Sequence, residues 1–266
     1  MERTSKFWYD SHVRFLLIAW LAASSAFAQW PQREPKNAPR KADGSIDPTG
    51  PAPRTAAGQP DLSGIWEPGG EFEMPKYLLN LAADRKEPVP FRPEAEALYK
   101  QRQATNSVDH PGARCLPSGI PEKDAVPAPF KILQMPDLVV ILYESRTIFR
   151  QIFTDGRPLP VDPVPTWQGY STGRWDQDTL VVETAGFNDR TWLDMAGHPA
   201  TDALHVTERF HRRDYGHMDI DITINDPKAY TEPWGAHETV RLRPTDELME
   251  HICEENNRDP AHMVGK

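Results

Sequence analysis

The sequence predicts a mainly β protein whose antiparallel strands form a meander that closes into a barrel. From Leu138 onwards, short segments rich in β-branched and aromatic residues alternate with tight turns such as Asp176-Gln177-Asp178 and Asp214-Tyr215-Gly216. Consecutive hairpins at this spacing are typical of an antiparallel barrel or sandwich. Residues 247–253 read as either strand or helix. We favour a strand, because a last strand that closes the barrel would leave no unpaired sheet edge.

The N-terminus has the pattern of an export signal. Arg3, Lys6 and Arg14 precede an uncharged, mostly apolar run that ends in Ala26-Phe27-Ala28. A basic start, a short apolar run and small residues at a cleavage site are typical of a secretory signal peptide, and the run is shorter than the roughly 20 residues of a membrane span. We therefore expect residues 1–28 to be cleaved and the mature protein to be periplasmic or secreted, without a membrane span. An uncleaved anchor is the alternative.

Composition along the chain predicts one folded domain. Residues 29–60 are rich in proline and poor in apolar side chains, so they are expected to form a disordered leader. A single β-barrel domain is predicted over residues 61–258, followed by a tail over residues 259–266. Within the domain, Pro93 and the acidic residues after it predict one short helix that ends near Ala104.

Charge and cysteine content restrict the classes of partner and of chemistry. The formal net charge is −9, which makes nucleic acid and anionic membrane surfaces poor partners. The two cysteines, Cys115 and Cys253, predict a disulfide in an oxidising compartment, with two separate buried thiols as the alternative. The chain lacks the Gly-x-Ser-x-Gly, His-Glu-x-x-His and phosphate-binding glycine motifs. We expect no cofactor and no metal ion.

The turn at residues 214–216 predicts the register of one hairpin. A three-residue turn pairs Arg213 with His217, and the pairs then step outward to His211 with Asp219. One face is polar, and the other is apolar except for Glu208. A carboxylate on an apolar face must be paired or protonated. Glu208 therefore either serves a functional cavity or pairs with a buried arginine, and the sequence leaves open which face lines the interior.

Candidate site residues follow from the long connection over residues 185–203 and from the polar strand faces, since such loops on a rigid scaffold often carry binding sites. A histidine beside a carboxylate can act as a general base, and aromatic side chains can line a pocket for a flat apolar ligand. The candidate catalytic residues are His198, Asp202, Glu208, His211 and Asp219. The candidate ligand-binding residues are Arg150, Trp167, Tyr170, Asn188, Trp192 and His205.

Two resemblances support the barrel. Gly64-Ile65-Trp66 resembles the first-strand Gly-x-Trp motif of lipocalins and other calycins, in which the indole plugs the closed end of the barrel. The strings GRWDQDTLVVET and TERF…DIDITINDPKAYTEPW resemble a widespread family of exported bacterial β-rich proteins of unassigned function. The first resemblance implies a lipocalin/calycin-like barrel, and the second implies export. Neither carries catalytic residues that could be transferred to this chain.

These observations lead to three functional hypotheses. The first is an exported barrel that binds a small apolar or aromatic molecule, with residues 185–203 as one wall of the mouth. The second is a cofactor-free hydrolase or lyase that uses a histidine and a carboxylate. The third is an envelope interaction protein without a small-molecule site. The sequence does not determine the oligomeric state.

Overall fold

The computed structural model describes residues 34–69 and 76–255, which form a closed barrel of nine strands. The strands are β1 (Gly64–Pro68), β2 (Phe130–Gln134), β3 (Leu138–Tyr143), β4 (Ile148–Phe153), β5 (Tyr170–Asp176), β6 (Thr179–Ala185), β7 (His205–Arg212), β8 (His217–Asn225) and β9 (Trp234–Leu242). Each strand pairs with the next, and β1 also pairs with β9. The predicted mainly β class and the barrel are confirmed, and the architecture fits a lipocalin-like barrel.

The predicted register of the β7–β8 hairpin is confirmed, because His211 pairs with Asp219 and Phe210 with Ile220. Alternate residues of both strands are buried. The apolar face therefore lines the interior, and it joins one core cluster with residues from the other strands. The polar face points outward.

The barrel has one weak seam between neighbouring strands. All strand pairs are antiparallel except β4 and β5, which run parallel and share only two residue pairs, Ile152 with Ser171 and Phe153 with Thr172. By contrast, the β3–β4 and β5–β6 ladders extend over whole strands. The first half of β4 is thus left without a partner strand on its β5 side.

Trp66, the tryptophan of the Gly-x-Trp segment, is buried beside Arg212 at the end of the barrel that carries the β7–β8 turn. The Trp66 ring is fully buried, and the guanidinium of Arg212 lies 4.9 Å from its centre. Arg212 donates hydrogen bonds to the main-chain oxygens of Asp61, Asp214 and Tyr215. The side chain therefore ties β7 to the hairpin turn and to the segment before β1.

Residues 34–60, which the sequence suggested were a disordered leader, form hydrogen-bonded turns in the structure. The β7–β8 turn lies against them, since Tyr215 N donates to Gly50 O at 2.8 Å and Gly216 N donates to Pro48 O at 2.7 Å. Arg54 also pairs with Asp178 in the β5–β6 turn. This proline-rich segment has few apolar side chains to bury, so main-chain hydrogen bonds hold it in place instead. Residues 1–33, with the predicted signal peptide, and the tail 259–266 lie outside the described residues.

The other end of the barrel is covered by two segments and two short helices. Residues 118–125, named the plug here, are buried throughout, including Glu122, Lys123 and Asp124. The connection between β6 and β7 also lies at this end. The helices are α1 (Lys76–Leu79) and α2 (Pro93–Ala104), and α2 has the predicted bounds.

One strand prediction from the sequence was wrong, and one strand was not predicted. Residues 247–253 form no strand, because β1 pairs with β9 and closes the sheet without them. The strand β2 lies before Leu138, where the predicted meander begins, and its partners are β1 and β3. The residues near position 250 instead bind the turn after β3, where Met249 N donates to Glu144 Oε2 at 2.9 Å.

The predicted cysteine pair is present. Cys115 and Cys253 form a disulfide with Cα atoms 5.6 Å apart across 138 positions of sequence. It fixes the C-terminal segment beside the chain that leads into the plug.

The contribution of Arg212 to the stability of the barrel can be measured by urea unfolding. We expect Arg212→Met to lower the free energy of unfolding by about 2–4 kcal/mol, because buried carbonyl groups lose a charged donor. The matched control is Arg209→Met on the same strand, where an exposed side chain pairs with Asp176. That change is expected to lower the free energy of unfolding by less than about 1 kcal/mol. Equal losses in the two variants would contradict this role.

The disulfide is expected to stabilise the folded state through the long loop it closes. The double variant Cys115→Ser, Cys253→Ser should lose up to about 5 kcal/mol in the chain-entropy model. Thermal unfolding of both proteins measures the loss, and a thiol titration of the denatured parent protein should find no free cysteine. A parent that reacts as a dithiol would refute the pairing.

Candidate functional site

A group of polar side chains lies inside the barrel, just beneath the plug. At its centre is Arg150 of β4, which is only 3% exposed. Its Nη1 donates to Glu208 Oε1 at 3.0 Å, and Nη2 donates to Glu208 Oε2 at 2.5 Å. Nη2 also donates to Thr184 Oγ1, and Nε donates to Ser171 Oγ. From the sequence, a buried arginine was one of two explanations for Glu208. Arg150 is that arginine.

The plug contributes Asp124 to the same group. Its Oδ1 accepts a hydrogen bond from the Tyr143 hydroxyl at 2.6 Å, while Oδ2 lies 3.7 Å from Arg150 Nη1 and has no donor among the described residues. The carboxylate of Glu208 belongs to the same buried group, and its negative charge favours a proton on Asp124.

Burial changes the acidity of these groups. Burial, followed by the charge of Glu208, raises the pKa of Asp124 to about 8. Burial also raises the pKa of Tyr143 well above its usual value, with Asp124 adding to the effect. Desolvation acts to lower the pKa of Arg150, but the charge and hydrogen bonds of Glu208 outweigh it and raise that pKa. The interior thus holds the ion pair Arg150–Glu208 beside a neutral Asp124.

A third interior carboxyl group comes from β9. Glu238 is 3% exposed, and its Oε2 has no hydrogen-bond partner in the described part of the chain. Burial, with a smaller contribution from Asp124, raises the pKa of Glu238 well above its usual range. Clusters of strongly shifted acids are common at functional sites, although structural networks also produce them.

A surface groove opens at the β4–β5 seam and reaches this polar group from the side. Its volume is about 500 Å³, and both Arg150 and Ser171 line it. Four aromatic side chains form its walls: Phe149, Phe153, Trp167 and Tyr170. We call it the seam groove. Since the two strands share only two residue pairs, the groove lies where the sheet itself is open.

The rings of the seam groove are held in place by neighbouring side chains. Phe153 and Tyr170 stack with centres 5.3 Å apart, and the guanidinium of Arg157 lies 4.0 Å from the centre of Phe153. Arg190 lies 5.1 Å from the centre of Trp167. Phe149 is 63% exposed, which is unusual for a large apolar side chain on a strand. The groove therefore presents a preformed aromatic surface.

The five candidate catalytic residues are not brought together. Glu208 is inside the barrel, whereas His211 and Asp219 lie on the outer face, where Asp219 accepts from Arg213 and Thr239. Asp202 forms an exposed pair with Lys228.

The fifth candidate, His198, is buried and hydrogen bonds through Nδ1 to Asp194 Oδ2 at 2.5 Å, not to Asp202. Asp194 also accepts main-chain hydrogen bonds from Leu81, Gly197 and His198. This arrangement fixes the β6–β7 connection to the chain after α1.

Three of the six candidate ligand-binding residues, Arg150, Trp167 and Tyr170, meet in the seam groove. The other three lie elsewhere. Asn188 caps its own turn by accepting from Arg190 N and Thr191 Oγ1. Trp192 is buried beneath the guanidinium of Arg102, which lies 3.7 Å from the centre of the ring. His205 pairs with Glu183 at 3.0 Å on the outside of the barrel.

The interior residues Asp124, Tyr143 and Glu238 were not among the site residues predicted from the sequence. Strand alternation would have identified Glu238, because residues of β9 on either side of it are more exposed. For the plug, the available signal was the run Glu122-Lys123-Asp124 in a proline-rich segment, which reads as a solvated loop. Its burial depends on the barrel that it fills.

Comparison with known proteins adds no assignment, since neither a scan of protein-family models nor a search of curated proteins found a match. In the described ranges, no helix has both the length and the apolar character needed to cross a membrane. The same ranges contain no group of three or more His, Cys, Asp or Glu side chains placed to hold a metal ion.

The raised pKa of Asp124 predicts how stability depends on pH. Between the unfolded pKa of about 4 and the folded value of about 8, the folded state binds a proton that the unfolded state has lost, so stability falls as pH rises. Asp124→Asn keeps a neutral hydrogen-bonding group and removes this dependence. We expect the parent to lose stability relative to the variant from about pH 5 to pH 8, by at most about 1.4 kcal/mol per pH unit.

Urea unfolding of both proteins at a series of pH values measures this difference. Glu238 is present in both, and burial, the larger cause of its raised pKa, acts in both, so most of its own pH dependence cancels in the comparison. A difference that does not change with pH would show that Asp124 is ionised in the folded protein.

Proposed function

We propose that this protein binds a small, flat aromatic molecule in the seam groove. The observation that carries the proposal is the placement of four aromatic rings around an opening in the barrel wall that leads to the buried Arg150. A volume of about 500 Å³ lies within the range typical of small-molecule sites, which are mostly apolar and have few polar groups. Two or three fused rings would fit a groove of this kind.

One polar atom in the groove supports a more specific ligand class. The Nε2 of Gln168 donates to Ser118 O, which fixes the orientation of the amide, and Oε1 is buried without a hydrogen-bond partner among the described residues. A buried acceptor without a donor is unfavourable by about 1–3 kcal/mol. An aromatic ligand with a hydroxyl or amino group would supply the missing donor.

Binding is favoured over catalysis by the state of the polar side chains near the groove. Arg150 has all of its nitrogen atoms engaged by Glu208, Ser171 and Thr184. None of the candidate catalytic histidines lines the groove. The groove therefore offers shape and aromatic surface, whereas the groups beneath it are committed to one another.

We further propose that the mature protein acts outside the cytoplasm, as a member of the exported family that it resembles. The disulfide supports an oxidising compartment. The basic and apolar pattern of residues 1–28 supports export.

A fluorescence titration with 1-naphthol tests the proposed site, because this probe combines two fused rings with a hydroxyl group. We expect saturable binding, with Trp167→Ala and Gln168→Leu each weakening it by about tenfold or more, which corresponds to about 1.4 kcal/mol. Naphthalene, which has no hydroxyl group, should bind more weakly to the parent and should not distinguish Gln168→Leu from it.

The matched control is Trp175→Leu, which removes a tryptophan side chain from β5, outside the groove. It should bind 1-naphthol like the parent. Unchanged affinity in Trp167→Ala, or an equal loss in Trp175→Leu, would place the probe elsewhere and refute the proposal.

A further inference from the structure

A second cavity lies beside the plug, and its volume is about 690 Å³. One wall is apolar and includes Leu78 and Leu79 of α1 and Met195 of the β6–β7 connection. Leu79 and Met195 are 46% and 41% exposed. The opposite wall is polar and comes from the plug and from the turn between β3 and β4. We call this space the plug cavity.

Four side chains of the polar wall form a chain of contacts. Arg146 Nη1 donates to Ser118 Oγ at 3.1 Å, and Ser118 Oγ donates to Glu122 Oε1 at 2.9 Å. His110 Nε2 lies 3.3 Å from the same Glu122 oxygen. His110, Ser118 and Glu122 are each less than a tenth exposed. This wall is therefore a built polar surface, in which each group is positioned by the next.

Two nitrogen atoms of this wall are buried without a hydrogen-bond acceptor in the described part of the chain. They are Nε of Arg146 and Nε2 of His110, whose contact with Glu122 does not meet hydrogen-bond geometry. The Nδ1 of His110 accepts from Gly112 N at 3.1 Å, so the neutral ring carries its proton on Nε2. Both unpartnered atoms are thus N–H donors, and a ligand that satisfies them must supply acceptor oxygens.

A lysine also lies close to this wall. Lys123 Nζ donates to Ser145 O at 2.5 Å, and Ser145 lines the plug cavity. Burial and the charge of Arg146 lower the pKa of Lys123 to about 7. A negative charge bound beside Arg146 would favour the protonated form of Lys123.

We propose that the plug cavity binds a small monocarboxylate with an apolar tail, the carboxylate accepting from Arg146 and His110 and the tail lying against Leu78, Leu79 and Met195. A carboxylate supplies acceptor oxygens for the two unpartnered N–H donors, and an aliphatic or aromatic tail matches the apolar wall. The seam groove and the plug cavity share no lining residue. The two sites therefore have separate linings, and this proposal does not depend on the one under Proposed function.

Isothermal titration calorimetry with octanoate, and with 1-octanol as the uncharged analogue, tests the site. We expect the parent to bind octanoate about tenfold or more tightly than 1-octanol, and Arg146→Gln to lose that preference. Arg114→Gln is the matched control, because Arg114 is an exposed arginine nearby that pairs with Asp109. It should bind octanoate like the parent.

A second pair of variants tests the site even if Arg146→Gln does not fold. Leu79 is exposed, so Leu79→Glu and Leu79→Gln should both fold, and only the glutamate should repel the carboxylate. We expect Leu79→Glu to bind octanoate several-fold more weakly than Leu79→Gln, with 1-octanol affinity equal in the two.

The seam-groove variant separates the two sites. Trp167→Ala should leave octanoate binding unchanged, and Arg146→Gln should leave 1-naphthol binding unchanged. The proposal is overturned if octanoate and 1-octanol bind the parent equally, if the two Leu79 variants bind octanoate equally, or if Trp167→Ala abolishes octanoate binding.

Discussion

The pairing of Arg150 with Glu208 holds together the part of the barrel that backbone hydrogen bonds leave weakest. The two residues belong to β4 and β7, and the same guanidinium also binds Ser171 of β5 and Thr184 of β6. One side chain therefore connects four consecutive strands across the seam, where β4 and β5 share only two residue pairs. Because both charges are buried, removal of either partner would leave an uncompensated ion, which is typically destabilising by about 3–5 kcal/mol.

The plug determines what the interior can hold. It places Asp124 against the Arg150–Glu208 pair, and the barrel accommodates this further acid because it stays neutral. The same short segment contributes Ser118 and Glu122 to the lining of the plug cavity. It also reaches the seam groove, because the main-chain oxygen of Ser118 accepts from Gln168 Nε2. A local movement of the plug would affect both cavities and the interior together.

The features that could be predicted from the sequence are those set by residues close together in the chain. The β7–β8 register followed from a three-residue turn and from alternation, and α2 followed from Pro93 and its acidic neighbours. Glu208 was recognised as a carboxylate that needs a partner, but Arg150 lies 58 positions away, so strand order was needed to identify it. The plug and β2 were missed for a related reason. Both lie in proline-rich sequence, and what buries them is a barrel built from the rest of the chain.

Pairing of β1 with β9 has a consequence for when the barrel can form. The residues that meet, Trp66 and Leu242, are separated by most of the domain, and the disulfide joins Cys115 to a residue later still. During synthesis, a nascent chain that lacks β9 would expose the open backbone of β1 on one side and that of β8 on the other. Such edges recruit other strands, including those of neighbouring molecules. The sheet therefore cannot close before β9 has been made, and truncation even a few residues before Trp234 would leave an aggregation-prone fragment instead of a smaller working domain.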